Sequence, residues 1–105
     1  MSTPERDMVQ REVEIEASPQ EVWESLATED GRERWLEEDP ERELRVEIAE
    51  EPERLVWWWR RAGGPPTRVE VLVVAVPAGA RVIVRESAPR FPLVAFARAF
   101  ALVPV

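Results

Sequence analysis

Lysine, cysteine, histidine, tyrosine and asparagine are all missing from this chain. Without a thiol, imidazole, phenol or primary-amine side chain, it cannot assemble Cys or Ser-His nucleophiles, lysine Schiff bases or Cys/His zinc sites. What remains for chemistry is carboxylates, arginines, a few hydroxyls and indoles. Among the carboxylates, Glu86 in "RVIVRES" shares the parity of Val82 and Val84, so it faces inward with them. There it either acts as a general base or ends a strand by reaching an arginine or solvent. The second reading is preferred, because a lone carboxylate has no companion for acid-base work. The run "EEDPERE" and the ladder Glu12, Glu14, Glu16 read as solvated surface.

The indoles raise a geometric question. Trp57, Trp58 and Trp59 are consecutive, and neighbouring side chains of a strand point to opposite faces. Parity groups Leu55, Trp57 and Trp59 against Val56, Trp58 and Arg60. The first group faces inward, where Leu44, Val46 and Ile48 on one side and Val69, Val71 and Val73 on the other offer matching apolar sets. Trp57, Trp59, Trp35, Phe96 and Phe100 then either fill the core or line an apolar pocket. In so short a chain most of them belong to the core, with Trp35 and Trp59 at a cavity wall. Val71, Val84 and Glu86 share the same inward face and count with the cavity.

The outward set is Val56, Trp58, Leu72, Val74 and Ile83, with Glu70, Arg81 and Arg85 around it. Left to solvent, these residues would expose an apolar patch on the order of several hundred Å2, the size that marks an interface. Homodimerisation through this face is expected, or a cover from the C-terminal tail or the Pro-rich loop.

The elements that position these side chains are legible. "MVQREVEIEAS" alternates as a half-buried strand, with Val9, Val13, Ile15 and Ala17 on one side. "SPQEVWESLA" begins a helix: Ser18 is the N-cap, Pro19 the first helical residue, and Glu21 completes a capping box. "TEDGRERWLEE" reads as a second short helix carrying Trp35 and Leu36. Strands follow over "ELRVEIAEE", "RLVWWWR", "RVEVLVVAV" and "RVIVRES", joined by the turns "EEPER", "AGGPP" and "PAGA". In "FPLVAFARAF", Leu93, Phe96, Ala97 and Phe100 stand at helical spacing behind Pro92. With 105 residues, no internal repeat and no linker, the chain reads as one domain, 1–105.

The residues "REVEIEASPQEVWESLATEDGRERWL", "EEPERLVWWWR" and "VEVLVVAVPAGARVIVRES" resemble the START-like (SRPBCC) superfamily, and within it the bacterial activator of Hsp90 ATPase homologue (AHSA1-like) proteins. The resemblance implies an α+β helix-grip fold of the START/Bet v1 kind: a curved antiparallel sheet, two short N-terminal helices, and a C-terminal helix with an apolar cavity beneath it. Two departures bear on that cavity. The stretch from Leu36 to Leu55 is short for the family, so the sheet is shortened, and the terminal helix is curtailed. A smaller or more open cavity follows, or one completed by a second subunit.

The partners are bounded by charge. Fourteen arginines against 21 acidic residues give a net charge of −7, which disfavours nucleic acid and anionic membranes. The "WWWRR" pairing is explained by cation-π contact within the sheet. The tail "FPLVAFARAFALVPV" is too short and interrupted to span a bilayer. "MSTPERDMVQ" is too polar for a signal peptide, so a cytoplasmic location is expected. The arginine-only, alanine-rich composition fits a GC-rich bacterial genome. No cofactor or metal is expected. The expected function is non-catalytic binding of a hydrophobic small molecule. The alternatives are a protein-interaction or co-chaperone-like module or, harder to staff from this residue set, a cyclase- or dehydratase-type enzyme.

Overall fold

A computed structural model of the chain describes residues 8–28, 30–31, 43–60, 64–87 and 91–101. The elements are β1 (Val9–Ile15), α1 (Pro19–Ala27), β2 (Glu43–Glu50), β3 (Arg54–Arg60), β4 (Thr67–Val76), β5 (Gly79–Glu86) and α2 (Leu93–Ala101). The strands form one antiparallel sheet in the order β1-β5-β4-β3-β2.

Local sequence sets the helix start. The Ser18 side chain accepts from the Glu21 N–H at 3.1 Å, and the Glu21 carboxylate accepts from the Ser18 N–H at 3.0 Å, which closes the predicted capping box. The Ser18 backbone N–H, ahead of its hydroxyl, holds the Glu21 carboxyl below the usual carboxylate range. Val22, Trp23, Ser25 and Leu26 form the buried stripe of α1, which packs against β4 and β5. Of the second predicted helix, Asp30 and Gly31 are helical; Trp35 and Leu36 lie outside the described residues.

The β4–β5 hairpin turns over Pro77 and Ala78 into Gly79. Gly79 has φ +147°, and a Cβ there would run into the backbone of Ile15 and Ala17. Both conditions call for glycine. One strand departs from its predicted face. A register shift between Val46 and Ile48 pairs Val46 with Trp57 but Ile48 with Val56. Glu47 is the extra residue of a β-bulge, and past it the alternation flips. Leu44 and Val46 face inward as expected, whereas Ile48 lies on the outer face beside Val56.

The core is the inner face of the sheet against both helices. Ile15, Leu55, Trp57, Trp59, Val69, Val71, Val73, Val82 and Val84 meet Val22, Trp23 and Leu26 of α1 and Leu93 and Phe96 of α2. Phe91, just before α2, is also in this core at 1% exposure. Burial of a large side chain of this kind contributes about 1.5–3 kcal/mol.

Candidate functional site

The inner-face aromatics form a continuous stack. Trp57 meets Trp59 edge-on with ring centroids 5.6 Å apart, Trp57 meets Phe91 at 5.8 Å, Phe91 meets Phe96 at 5.7 Å, and Phe96 meets Phe100 at 5.4 Å. Such tilted and edge-to-face pairs are the favoured arrangements of aromatic rings. Of the residues predicted to line a cavity, Trp57, Trp59, Val71, Val84, Glu86 and Phe96 are all 3% exposed or less. They are buried, and of them Trp59 also borders open space. Phe100 is half-buried. Phe91, which sequence reasoning did not single out, supplies the ring that links the tryptophans to the helix.

Glu86 is fully buried and fully occupied. It forms an ion pair with the Arg11 guanidinium, and both of its oxygens accept from the Phe91 N–H at 3.1 Å. Arg11 also donates to the Phe91 carbonyl at 2.9 Å. One carboxylate thus ties β1, β5 and the entry to α2 together. Buried charge is tolerated only when paired and hydrogen-bonded in this way. The arginine-partner reading is the one the geometry bears out. Arg11 itself went unnoticed in the sequence, although it shares the inward parity of Val9, Val13 and Ile15.

Open space lies at the edges of the core. A cleft of about 630 Å3 sits at the end of the sheet where β2 starts and β3 ends, walled by Glu43, Leu44, Arg45, Trp58, Trp59, Arg60 and Pro66. A second, of about 870 Å3, runs between β1 and α2, with Val13, Ile15, Leu93, Ala97 and Phe100 along it and Arg98 on its rim. Leu26, Leu44, Val46, Leu55 and Trp57 surround a gap too narrow to admit water. Val46 is 46% exposed despite its inward parity.

The outer face is laced with charge. Glu70 bonds Arg54 at 2.8 Å and lies 3.6 Å from Arg85. Arg81 bonds Glu14 at 2.8 Å, and Glu47 accepts from the Trp58 indole N–H at 2.7 Å and from Arg68 at 3.3 Å. The indole N–H, ahead of Arg68, lowers the Glu47 pKa. Pairing with Glu70 raises that of Arg54, and pairing with Glu14 raises that of Arg81. Of the five predicted interface residues, Trp58 and Val74 are exposed at 38% and 45%, and Leu72 and Ile83 are half-buried. Val56 is a correction: at 0% exposure it has nothing to offer a partner. The register sets it between Ile48 and Glu70, so the bulge that turned Ile48 outward also supplied its neighbour.

Among the described residues no cluster of acidic side chains could hold a metal ion, and no helix is long and apolar enough to cross a membrane.

No family model matches the chain, and no curated protein matches it either. Solved structures do. Protein MLL2253 from Mesorhizobium loti superposes with a TM-score of 0.77 at 14% identity, over 93% of this chain and 99% of that one. DynU16, from the dynemicin biosynthetic locus, gives 0.79 at 19% identity over 91% of this chain and 48% of its own. The Aha1 dimer from Colwellia psychrerythraea gives 0.60 at 18%, over 74% and 73% of the two chains. At these identities the likeness shows the fold alone: a helix-grip-like α+β domain with a five-stranded antiparallel sheet.

Proposed function

We propose that the chain is a non-catalytic START-like binding domain, akin to the activator of Hsp90 ATPase homologues, that takes a small hydrophobic molecule in the cleft bounded by Leu44 and Trp59. The observation that carries this reading is the cleft itself. Its volume of about 630 Å3 falls within the roughly 300–1,000 Å3 usual for small-ligand sites, and an indole with an adjoining leucine is a typical apolar wall. Phe91 and Phe96 fill the middle of the inner face, so open space lies at its edges, in this cleft and in the one between β1 and α2. Glu86, the one carboxylate considered for catalysis, has both oxygens engaged by the fold.

The test is a titration of the purified protein with 2-ethylnaphthalene, followed by tryptophan fluorescence and melting temperature. Binding raises the melting temperature in proportion to ligand excess. Leu44→Glu is expected to weaken binding at least about tenfold, the effect of a charge left unpaired against the ligand. Val94→Glu, on the β1–α2 side, leaves it unchanged. No binding, or binding abolished only by Val94→Glu, overturns the assignment.

A second reading is homodimerisation through the outer face. It is favoured by the joint exposure of Trp58 and Val74 there, and one fold neighbour was solved as a dimer. Sedimentation equilibrium at tens of micromolar is expected to show a dimer that Val74→Glu converts to monomer. A monomer at every concentration rejects it.

A further inference from the structure

Most of the described arginines are paired, and the exceptions are placed alike. Arg11, Arg54, Arg60, Arg68, Arg81 and Arg85 each pair with a glutamate. Arg45 and Arg98 have no acidic partner among the described residues, although the chain carries 21 acidic side chains against 14 arginines. Both are exposed, and each borders open space: Arg98 the cleft between β1 and α2, Arg45 the cleft where β2 starts and β3 ends.

The two clefts differ in what surrounds the unpaired guanidinium. Around Arg98, the same cleft is lined by Glu12, Glu14 and Glu16, which leave an anion nothing to gain. Around Arg45 the sign is reversed. Arg45 stands opposite Trp58 across β2 and β3, and Glu43 stands opposite Arg60. Arg45 and Arg60 therefore occupy diagonal positions of one sheet face, within reach of one another's long side chains. Glu43 pairs with Arg60 at 3.2 Å, but the two side chains are 71% and 48% exposed, and a pair so open to water holds little. The cleft wall thus carries two guanidiniums, Arg45 and Arg60, against the single carboxylate of Glu43.

We propose that the ligand of this cleft is an apolar monoanion, an aromatic or aliphatic carboxylate, anchored by Arg45 with Arg60 as the second contact. This rests on the cleft reading above and adds the charge of the ligand. A planar guanidinium matches a carboxylate through two parallel N–H···O bonds, while Leu44, Trp59 and Pro66 supply the apolar wall. A monoanion neutralises the one excess positive charge, and a dianionic phosphate overshoots it. The apolar body is required as well. A net charge of −7 repels anions at long range, and exposed arginines alone hold a bare anion too weakly to offset that.

The experiment compares 2-naphthoate, its amide 2-naphthamide, which has the same shape without the charge, and 2-ethylnaphthalene. Dissociation constants come from tryptophan fluorescence at neutral pH. 2-Naphthoate is expected to bind about fivefold or more tightly than the amide, the upper range for an exposed charge pair. Arg45→Met keeps an apolar stem and leaves the melting temperature unchanged. It is expected to bring the two constants together while the amide binds as before. Arg98→Met removes the same charge from the other cleft and is expected to leave the preference intact. Equal constants in the native protein, a preference that survives Arg45→Met, or one lost equally in Arg98→Met, each overturns the anchor, and binding of 2-ethylnaphthalene then leaves the cleft standing. If none of the three compounds binds, the cleft reading falls and the anchor with it.

Discussion

Residues alternating along β3 meet two different environments. Trp57 and Trp59 turn inward and lie 3% exposed or less under rings supplied by Phe91 and, beyond it, Phe96. Val56 and Trp58 turn outward, where no helix or strand among the described residues covers them, yet Val56 is as buried as any core residue. The inner face is closed by aromatic rings brought from the far end of the chain. The outer face is closed by its own side chains, with arginines and glutamates paired across neighbouring strands beside the valines and leucines.

The difference shows that an apolar outward parity is not by itself an interface. Arginine covers apolar surface with its methylene stem while its planar head pairs with a carboxylate, and this chain uses arginine as its only basic side chain. Each exposed pair contributes little, about 0–1 kcal/mol. The inner ion pair works differently. Arg11 and Glu86 are placed to hold the approach to α2, and the buried glutamate cannot lose its partner cheaply.

The contrast can be broken from the inside first. Phe96→Ala removes a fully buried ring between Phe91 and Phe100 and is expected to cost about 3–5 kcal/mol in urea unfolding. A loss below about 1 kcal/mol would mean the α2 side of the core is not closed as described. Next, Glu86→Gln leaves the Arg11 guanidinium without its counter-charge. Arg11 is 31% exposed, so the expected cost is reduced to about 2–3 kcal/mol. Most of it should return in the double variant Arg11→Met with Glu86→Leu.

Outer-face changes are expected to be smaller. Arg54→Met removes the 2.8 Å bond to Glu70 and should cost clearly less than Glu86→Gln, the loss declining with added salt. A cost equal to that of Glu86→Gln would erase the distinction between the faces. The smallest effect is spectroscopic. Glu47 has its pKa lowered by the Trp58 indole N–H and Arg68, so the ionised form is favoured in the folded state. Its contribution is fully present above the unfolded glutamate value of about 4.3 and is lost as pH falls through the lower folded value. The Trp58 N–H resonance should therefore titrate below pH about 4.3. A midpoint above that value would contradict the Glu47 bond.

Much of the fold was legible because its signals are local. The span of β3 matches "RLVWWWR" residue for residue. The Ser18–Glu21 box needs only residues three apart, and the PAGA turn needs only a glycine with positive φ. The inward parity of Trp57, Trp59, Val71, Val84 and Glu86 needs only a period of two. The candidate site was less legible. Trp59 was read as a wall of a cavity beneath the terminal helix; it borders instead the cleft where β2 starts and β3 ends. Leu44 and Pro66 were read only as a strand residue and a turn residue, because a cleft is a property of surfaces brought together.

The sequence by itself determined the order of elements, the helix cap and which side chains of each strand share a face, since these follow from bonds and sterics between near neighbours. Tertiary structure decided where alternation fails and what closes each face. The bulge at Glu47 exists only against the register of β3, and Arg11 reaches Glu86 across 75 residues of chain. Phe91 enters the core because its backbone N–H and carbonyl are both claimed by that pair. No pattern of neighbouring residues encodes such meetings, because their free energy arises only when distant segments exclude water together.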